Sequence, residues 1–169
     1  MKKIISIIVA LSLLTCALFS FASCGELKVV EKSELGLNFV IPEDYERTHT
    51  LYADIEYGNG ETAFFADAMS YSELDLSSGA TVRECTEKIL DNMEFGGVEI
   101  VYDDAAGMAR FDTWATDEAG NESYYNYITV LVGTNYVYVA RYVCPGVEKE
   151  IKKHTKDFNE MSSRLSVRQ

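Results

Sequence analysis

Glu122 to Val143 reads ESYYNYITVLVGTNYVYVARYV, and the fold follows from how this stretch is read. Tyr and Val crowd here as nowhere else in the chain, and such side chains suit a pleated, half-buried surface. Gly133-Thr134-Asn135 interrupts the run, so two long strands joined by a tight turn are expected. On the first strand Tyr124, Asn126, Ile128, Val130 and Val132 share one face, and Tyr125, Tyr127, Thr129 and Leu131 share the other. Both faces are largely apolar, which places this strand inside a sheet that is covered on both sides.

Upstream, Leu37, Phe39 and Ile41 alternate as a strand that Pro42 ends. Thr48 to Tyr57 and Glu61 to Tyr71 read as a hairpin around Gly58-Asn59-Gly60. Thr81 and Glu84 form a capping box, and Val82, Cys85, Ile89 and Met93 recur at helical spacing, so a helix is expected over 82–93. Phe95-Gly96-Gly97 supplies its stop. Val98 to Tyr102 and Met108 to Thr116 read as two further strands. After Pro145-Gly146, the residues Val147, Ile151, His154, Phe158, Met161 and Leu165 form one apolar stripe of a terminal helix, with Lys149, Lys152, Lys153 and Lys156 off it on a solvated face. The order is three strands, a helix, about four strands and a helix. The fold class is therefore α+β: an antiparallel sheet of about six to seven strands sandwiched by helices. The expected core includes Phe39, Ile89, Ile128, Val130, Val139 and Phe158.

The N-terminus speaks of location. Lys2-Lys3 precede an apolar run from Ile4 to Phe21, and Ala22-Ser23-Cys24 follows. A positive end, an apolar stretch and small residues make an export signal. Phe21-Ala22-Ser23-Cys24 resembles the bacterial lipobox, with Phe21 where Leu is usual. That resemblance implies cleavage before Cys24 and a lipid on its thiol, in preference to plain secretion or a retained anchor. The expected organisation is a signal peptide over 1–23, a tether over 24–34 and a single domain over 35–169. Loss of residues 1–23 from 169 leaves 146, enough for one sizeable core. It also removes Lys2 and Lys3, taking the formal charge from −12 to −14. Such acidity argues against nucleic acid as a partner. Contact with a membrane then comes through the lipid on Cys24, not through basic patches.

Gly36-Leu37-Asn38-Phe39-Val40-Ile41-Pro42, a short strand ending in Pro, resembles the opening of PsbP-like and Mog-like domains. The central helix, the meander, the Tyr- and Val-rich hairpin and the terminal helix from Lys156-Asp157-Phe158 to Ser166-Val167 continue that likeness over Gly36 to Val167. The resemblance implies a sheet between helices and a role in binding or assembly. It carries over no catalytic residue.

The chemical inventory is short. No nucleophile elbow, phosphate loop, Cys-x-x-Cys or His-Glu-x-x-His motif occurs in the domain. No catalytic residue, metal site or cofactor is assigned, and the chain is read as a non-enzyme. The two histidines, His49 and His154, lie far apart, and His154 falls on the apolar stripe as a packed side chain. Asp103-Asp104 and Asp117-Glu118 sit in turns, where Asp is favoured by backbone chemistry. Asp112 and Trp114 share one strand face and are a candidate pair for binding a sugar or a cation, but the reading preferred is a sheet-face Trp covered by a helix. Cys85, on the apolar stripe of the first helix, is expected buried and unpaired, and Cys144 is expected at an edge of the domain, also as a free thiol. The function class expected is a lipid-anchored binding or accessory protein on the outer face of a bacterial membrane, its protein or small-molecule partner unnamed. The alternatives are a solute-binding lipoprotein serving a transporter and an envelope hydrolase working with acids alone.

Overall fold

The computed structural model describes residues 28–48, 53–93, 98–116 and 122–168. The signal segment, Cys24, His49, Leu51, Phe95, Asp117 and Glu118 lie outside the described residues. Five strands come first: β1 (Val29–Glu34), β2 (Leu37–Pro42), β3 (Glu46–Arg47), β4 (Ile55–Gly58) and β5 (Ala63–Ser70). Helix α1 (Val82–Met93) follows, then β6 (Val101–Asp103), β7 (Met108–Thr116), β8 (Glu122–Val132) and β9 (Tyr136–Pro145). Helix α2 (Glu148–Ser163) and β10 (Ser166–Val167) end the chain's described part.

Seven of these strands form one antiparallel sheet in the order β3-β4-β5-β9-β8-β7-β6, and the other three form a small sheet ordered β1-β2-β10. The quoted stretch is its middle. β8 pairs with β7 on one side and β9 on the other, with Ile128 opposite both Phe111 and Arg141. Both faces of β8 are covered, as its two apolar faces require. One face carries Ile128, Val130, Val137 and Val139 under α1, packed with Val82, Cys85 and Ile89. The other carries Leu131, Tyr138 and Tyr142 under α2 and the small sheet, packed with Phe39, Phe158 and Met161. All six expected core residues are buried.

Local chemistry explains the elements. The α1 box forms as read: Glu84 N–H donates to Thr81 Oγ1 at 3.3 Å, and Thr81 N–H donates to Glu84 Oε2 at 2.7 Å. The β1–β2 turn has Leu35 at φ 51° and Gly36 at φ 87°, the paired positive dihedrals of a tight hairpin turn. A Cβ on Gly36 would come within 2.6 Å of the Tyr138 hydroxyl, so glycine serves both the turn and the docking of the hairpin. The small sheet is fixed from below by tyrosines: Tyr142 donates to Val40 O at 2.8 Å and Tyr138 donates to Leu35 O at 3.0 Å.

Several sequence expectations are corrected. The segment read as a tether carries β1, which pairs with β2 from Val29↔Pro42 to Glu34↔Leu37. Its Val29 and Val30 pack on the core, and its Glu34 accepts from the Tyr57 hydroxyl and from Arg47. Short isolated polar strands look like linkers because their pairing partner supplies the order. The strand expected over Thr48 to Tyr57 is regular only over Ile55–Gly58, and the one over Val98 to Tyr102 shifts to Val101–Asp103. Val147 caps α2 and is exposed instead of lying on the buried stripe. Cys144 is buried, 1 % exposed, and not at an edge. It sits in the cluster under α2 while Cys85 sits in the cluster under α1, so the two free thiols lie on opposite faces of the sheet.

Candidate functional site

Helix α1 has 12 residues and is about 18 Å long. It covers the part of its face where β7, β8 and β9 present Phe111, Ile128, Val130 and Val139. Beyond that, the same face continues without a helix among the described residues. Register puts Glu56, Phe65 and Arg141 in one transverse row and Ala63, Val143 and Asn126 in the next, with Tyr124 and Ala115 beyond. These rows floor a pocket of about 690 Å³, rimmed by Gly58, Gly60 and Glu61 of the β4–β5 hairpin.

The floor is apolar where Phe65, Ala63, Val143 and Ala115 lie, with polar groups set into it. Asn126 is 6 % exposed and Glu56 is 9 % exposed, so both are polar side chains held almost wholly inside the fold at the pocket wall. Arg141 is the single cation among the described lining residues. Its guanidinium lies 5.3 Å from the Phe65 ring centre and 3.6 Å from Asp67 Oδ2. Its buried Nε has no hydrogen-bond partner. Desolvation raises the Asp67 carboxyl above its ordinary pKa, with Arg141 pulling the other way. The Asp67–Phe65 frame thus holds the arginine head in place and leaves donor capacity unused. A concave, mainly apolar surface with a few converging polar groups is the usual form of a small-ligand site.

Asp112 and Trp114 lie on the other face of the sheet, at its β7 side. Both touch Tyr125: its hydroxyl donates to Asp112 Oδ2, and its ring meets that of Trp114 edge-on at 5.4 Å. Trp114 is 39 % exposed, and no helix among the described residues covers it, contrary to the covered-Trp reading. α2 reaches only as far as Tyr127, whose hydroxyl donates to Asn159. Asp112 lines a smaller hollow of about 320 Å³ with Arg110, Tyr127 and Asn159, and Trp114 stands outside it. The pair shares a neighbour but does not converge on a common space.

Asp103 and Asp104 do the work of a turn. Asp103 accepts from Ala106 N–H at 3.0 Å, and Asp104 pairs with Arg83 at 3.2 Å. His154 packs against Phe158, ring centres 5.5 Å apart. Its Nε2, Glu150 and Glu61 bring ligand atoms within 4.8 Å of one another. Lys153 already bridges the two carboxylates, at 3.3 Å from Glu61 and 3.2 Å from Glu150, and these contacts lower the Glu150 pKa and raise that of Lys153. Burial raises the Cys144 thiol to about 11 and pushes Cys85 up as well, so both remain neutral thiols near pH 7 and poor nucleophiles.

Sequence reasoning missed the pocket. The available signal was Asn126 and Arg141, polar side chains within otherwise apolar alternation on the two central strands. What it lacked was the extent of α1 over that face.

No family model matches the chain, and no curated protein matches its sequence. Solved structures do. A mutant of Mog1 superposes with a TM-score of 0.55 at 10% identity, over 83% of this chain and 96% of that one. Cyanobacterial PsbP (CyanoP) from Synechocystis sp. PCC 6803 gives 0.48 at 11% identity, over 86% and 95%. LpqN, involved in cell envelope biogenesis of Mycobacterium tuberculosis, gives 0.43 at 9% identity, over 86% and 93%. At these identities the likeness to Mog1 concerns the fold alone, and it agrees with the α+β architecture described above.

Proposed function

We propose that this chain is a lipid-anchored, non-catalytic binding domain of the bacterial cell envelope, and that its ligand occupies the pocket on the helix-free half of the seven-stranded sheet. The observation that carries this reading is the pocket itself: about 690 Å³, floored by Phe65 and Val143, with Asn126 and Glu56 buried in its wall and Arg141 as its lining cation. The anchoring part is supported by Ala22-Ser23-Cys24 after the apolar run. The non-catalytic part is supported by what the reactive side chains already do. Both thiols are buried and neutral, and Asp103, Asp104 and Asp112 are engaged by a backbone N–H, an arginine and a tyrosine.

Two measurements test it. Intact mass of the membrane-bound protein should show residues 1–23 removed and a lipid on Cys24; an unmodified Cys24 contradicts the anchor. Denaturing the purified protein should release a co-purifying small molecule that the Asn126→Leu variant lacks. Equal recovery from both proteins contradicts the pocket as the binding site.

A further inference from the structure

The point where the chain enters the fold and the mouth of the pocket are at the same end of the molecule. Lys28 O accepts from Glu43 N–H at 2.9 Å, so the start of β1 lies beside the residues that follow Pro42. Those residues are tied to the β4–β5 hairpin: Asn59 Nδ2 donates to Asp44 Oδ2 at 2.7 Å, and the Tyr45 hydroxyl donates to Thr62 Oγ1 at 2.6 Å. Gly58, Gly60 and Glu61 of that hairpin rim the pocket. Only residues 25–28 separate Cys24 from Val29, where β1 begins. Fully extended, that link spans at most ~17 Å. A domain of this size is ~35–40 Å across for a radius of gyration near ~14 Å. The link is too short to pass around the domain, so a lipid on Cys24 holds the pocket end toward the bilayer.

We propose that the pocket receives a single-chain phospholipid from the membrane that carries the protein. This rests on the anchored binding-domain reading above and adds the ligand class. The acyl chain lies along Phe65, Ala63 and Val143 on β5 and β9, and continues past Asn126 over Tyr124 to Ala115. The phosphate meets the part of the Arg141 guanidinium that lines the pocket, whose side chain is 23 % exposed, and the Asn126 carboxamide serves the ester or hydroxyl next to it. Glu61 at the rim, shared with Lys153 but with its side chain 57 % exposed, keeps acceptor capacity where an ammonium headgroup would leave the pocket, so a zwitterionic lysophosphatidylethanolamine matches Arg141 in the pocket and Glu61 at its rim.

The full lipidated chain, reconstituted into phosphatidylethanolamine–phosphatidylglycerol vesicles, is irradiated with lysophosphatidylethanolamine bearing a diazirine in its chain. The expected adducts fall on peptides containing Phe65 and Val143. Val143→Trp, which fills the floor, and Arg141→Gln each lower the yield about tenfold, the effect of a modest loss of contact energy. Should Val143→Trp fail to fold, as judged by its melting midpoint, Ala115→Trp replaces it at the outer row. Adducts spread over other surfaces, or a yield unchanged in the variants, overturn the proposal. Competition by water-soluble glycerophosphoethanolamine alone also overturns it, since the chain is then dispensable, yet leaves the binding-domain reading standing. Intact mass showing an unmodified Cys24 removes the anchor and with it the orientation.

Discussion

The two faces of the seven-stranded sheet are built from the same strands and are finished differently. Under α2 and the small sheet, an aromatic series runs Phe39–Phe64–Tyr142–Phe158–His154, with successive ring centres 4.7, 4.8, 5.5 and 5.5 Å apart. Two elements from distant parts of the chain close that face across β4, β5, β9 and β8. On the α1 side the face is packed along Ala109, Phe111, Ile128, Val130, Val137 and Val139, and from Arg141 outward it is open among the described residues. The first face holds the domain together. The second holds the pocket because one short helix cannot cover a sheet of seven strands.

That division can be broken most directly at the closed face. Phe158→Ala, which empties a site that is 2 % exposed in the middle of the aromatic series, should cost ~3–5 kcal/mol in denaturant unfolding. A loss below about 1 kcal/mol would place the core elsewhere. Ile89→Ala, on the covered part of the other face, should cost ~2–4 kcal/mol, since that stretch is packed as a core should be. Phe65→Ala, in the open half, should cost only about 1 kcal/mol, because its ring is partly in solvent before the change. A cost equal to that of Ile89→Ala would mean the open half is as closed as the covered one. Asn126→Leu keeps the volume and should shift stability by no more than ~1 kcal/mol while abolishing ligand recovery. The smallest effect is a pH effect. Cys144 titrates near 11 in the folded state and near ~8.5 when unfolded, so folding favours its protonated form. Its contribution is complete below pH ~8.5 and is lost as the pH rises through 11. The melting midpoint should therefore fall across that window, less steeply in Cys144→Ala.

Much of the fold was legible because its signals are local. The capping box at Thr81 and Glu84 starts α1 where the spacing of Val82, Cys85 and Ile89 says it should. Gly133 and Asn135 turn β8 into β9, and the two apolar faces of β8 announce two covers. β1 was not legible. Its Glu31, Lys32 and Ser33 read as a tether until Leu37–Pro42 is known to lie alongside. The site was less legible still. Asn126 and Arg141 are 15 residues apart and face one pocket with Glu56 and Phe65 from strands much earlier in the chain. Asp112 and Trp114, adjacent in the alternation, come together only around Tyr125.

The amino-acid order alone determined the class of structure, the span of α1, the middle of the sheet and the core positions, since periodicity, capping and turn chemistry act over a few residues. The tertiary structure decided the rest. It brought β1 into a second sheet, buried Cys144 beneath α2 and set Cys85 on the far side from it. It also settled how far α1 extends over its face and therefore where, among the described residues, that face stays open. Those outcomes depend on which surfaces meet and where one element's length runs out against another's. The physical reason is that burial is a property of pairs of distant segments, and a single segment carries only its half of each pair.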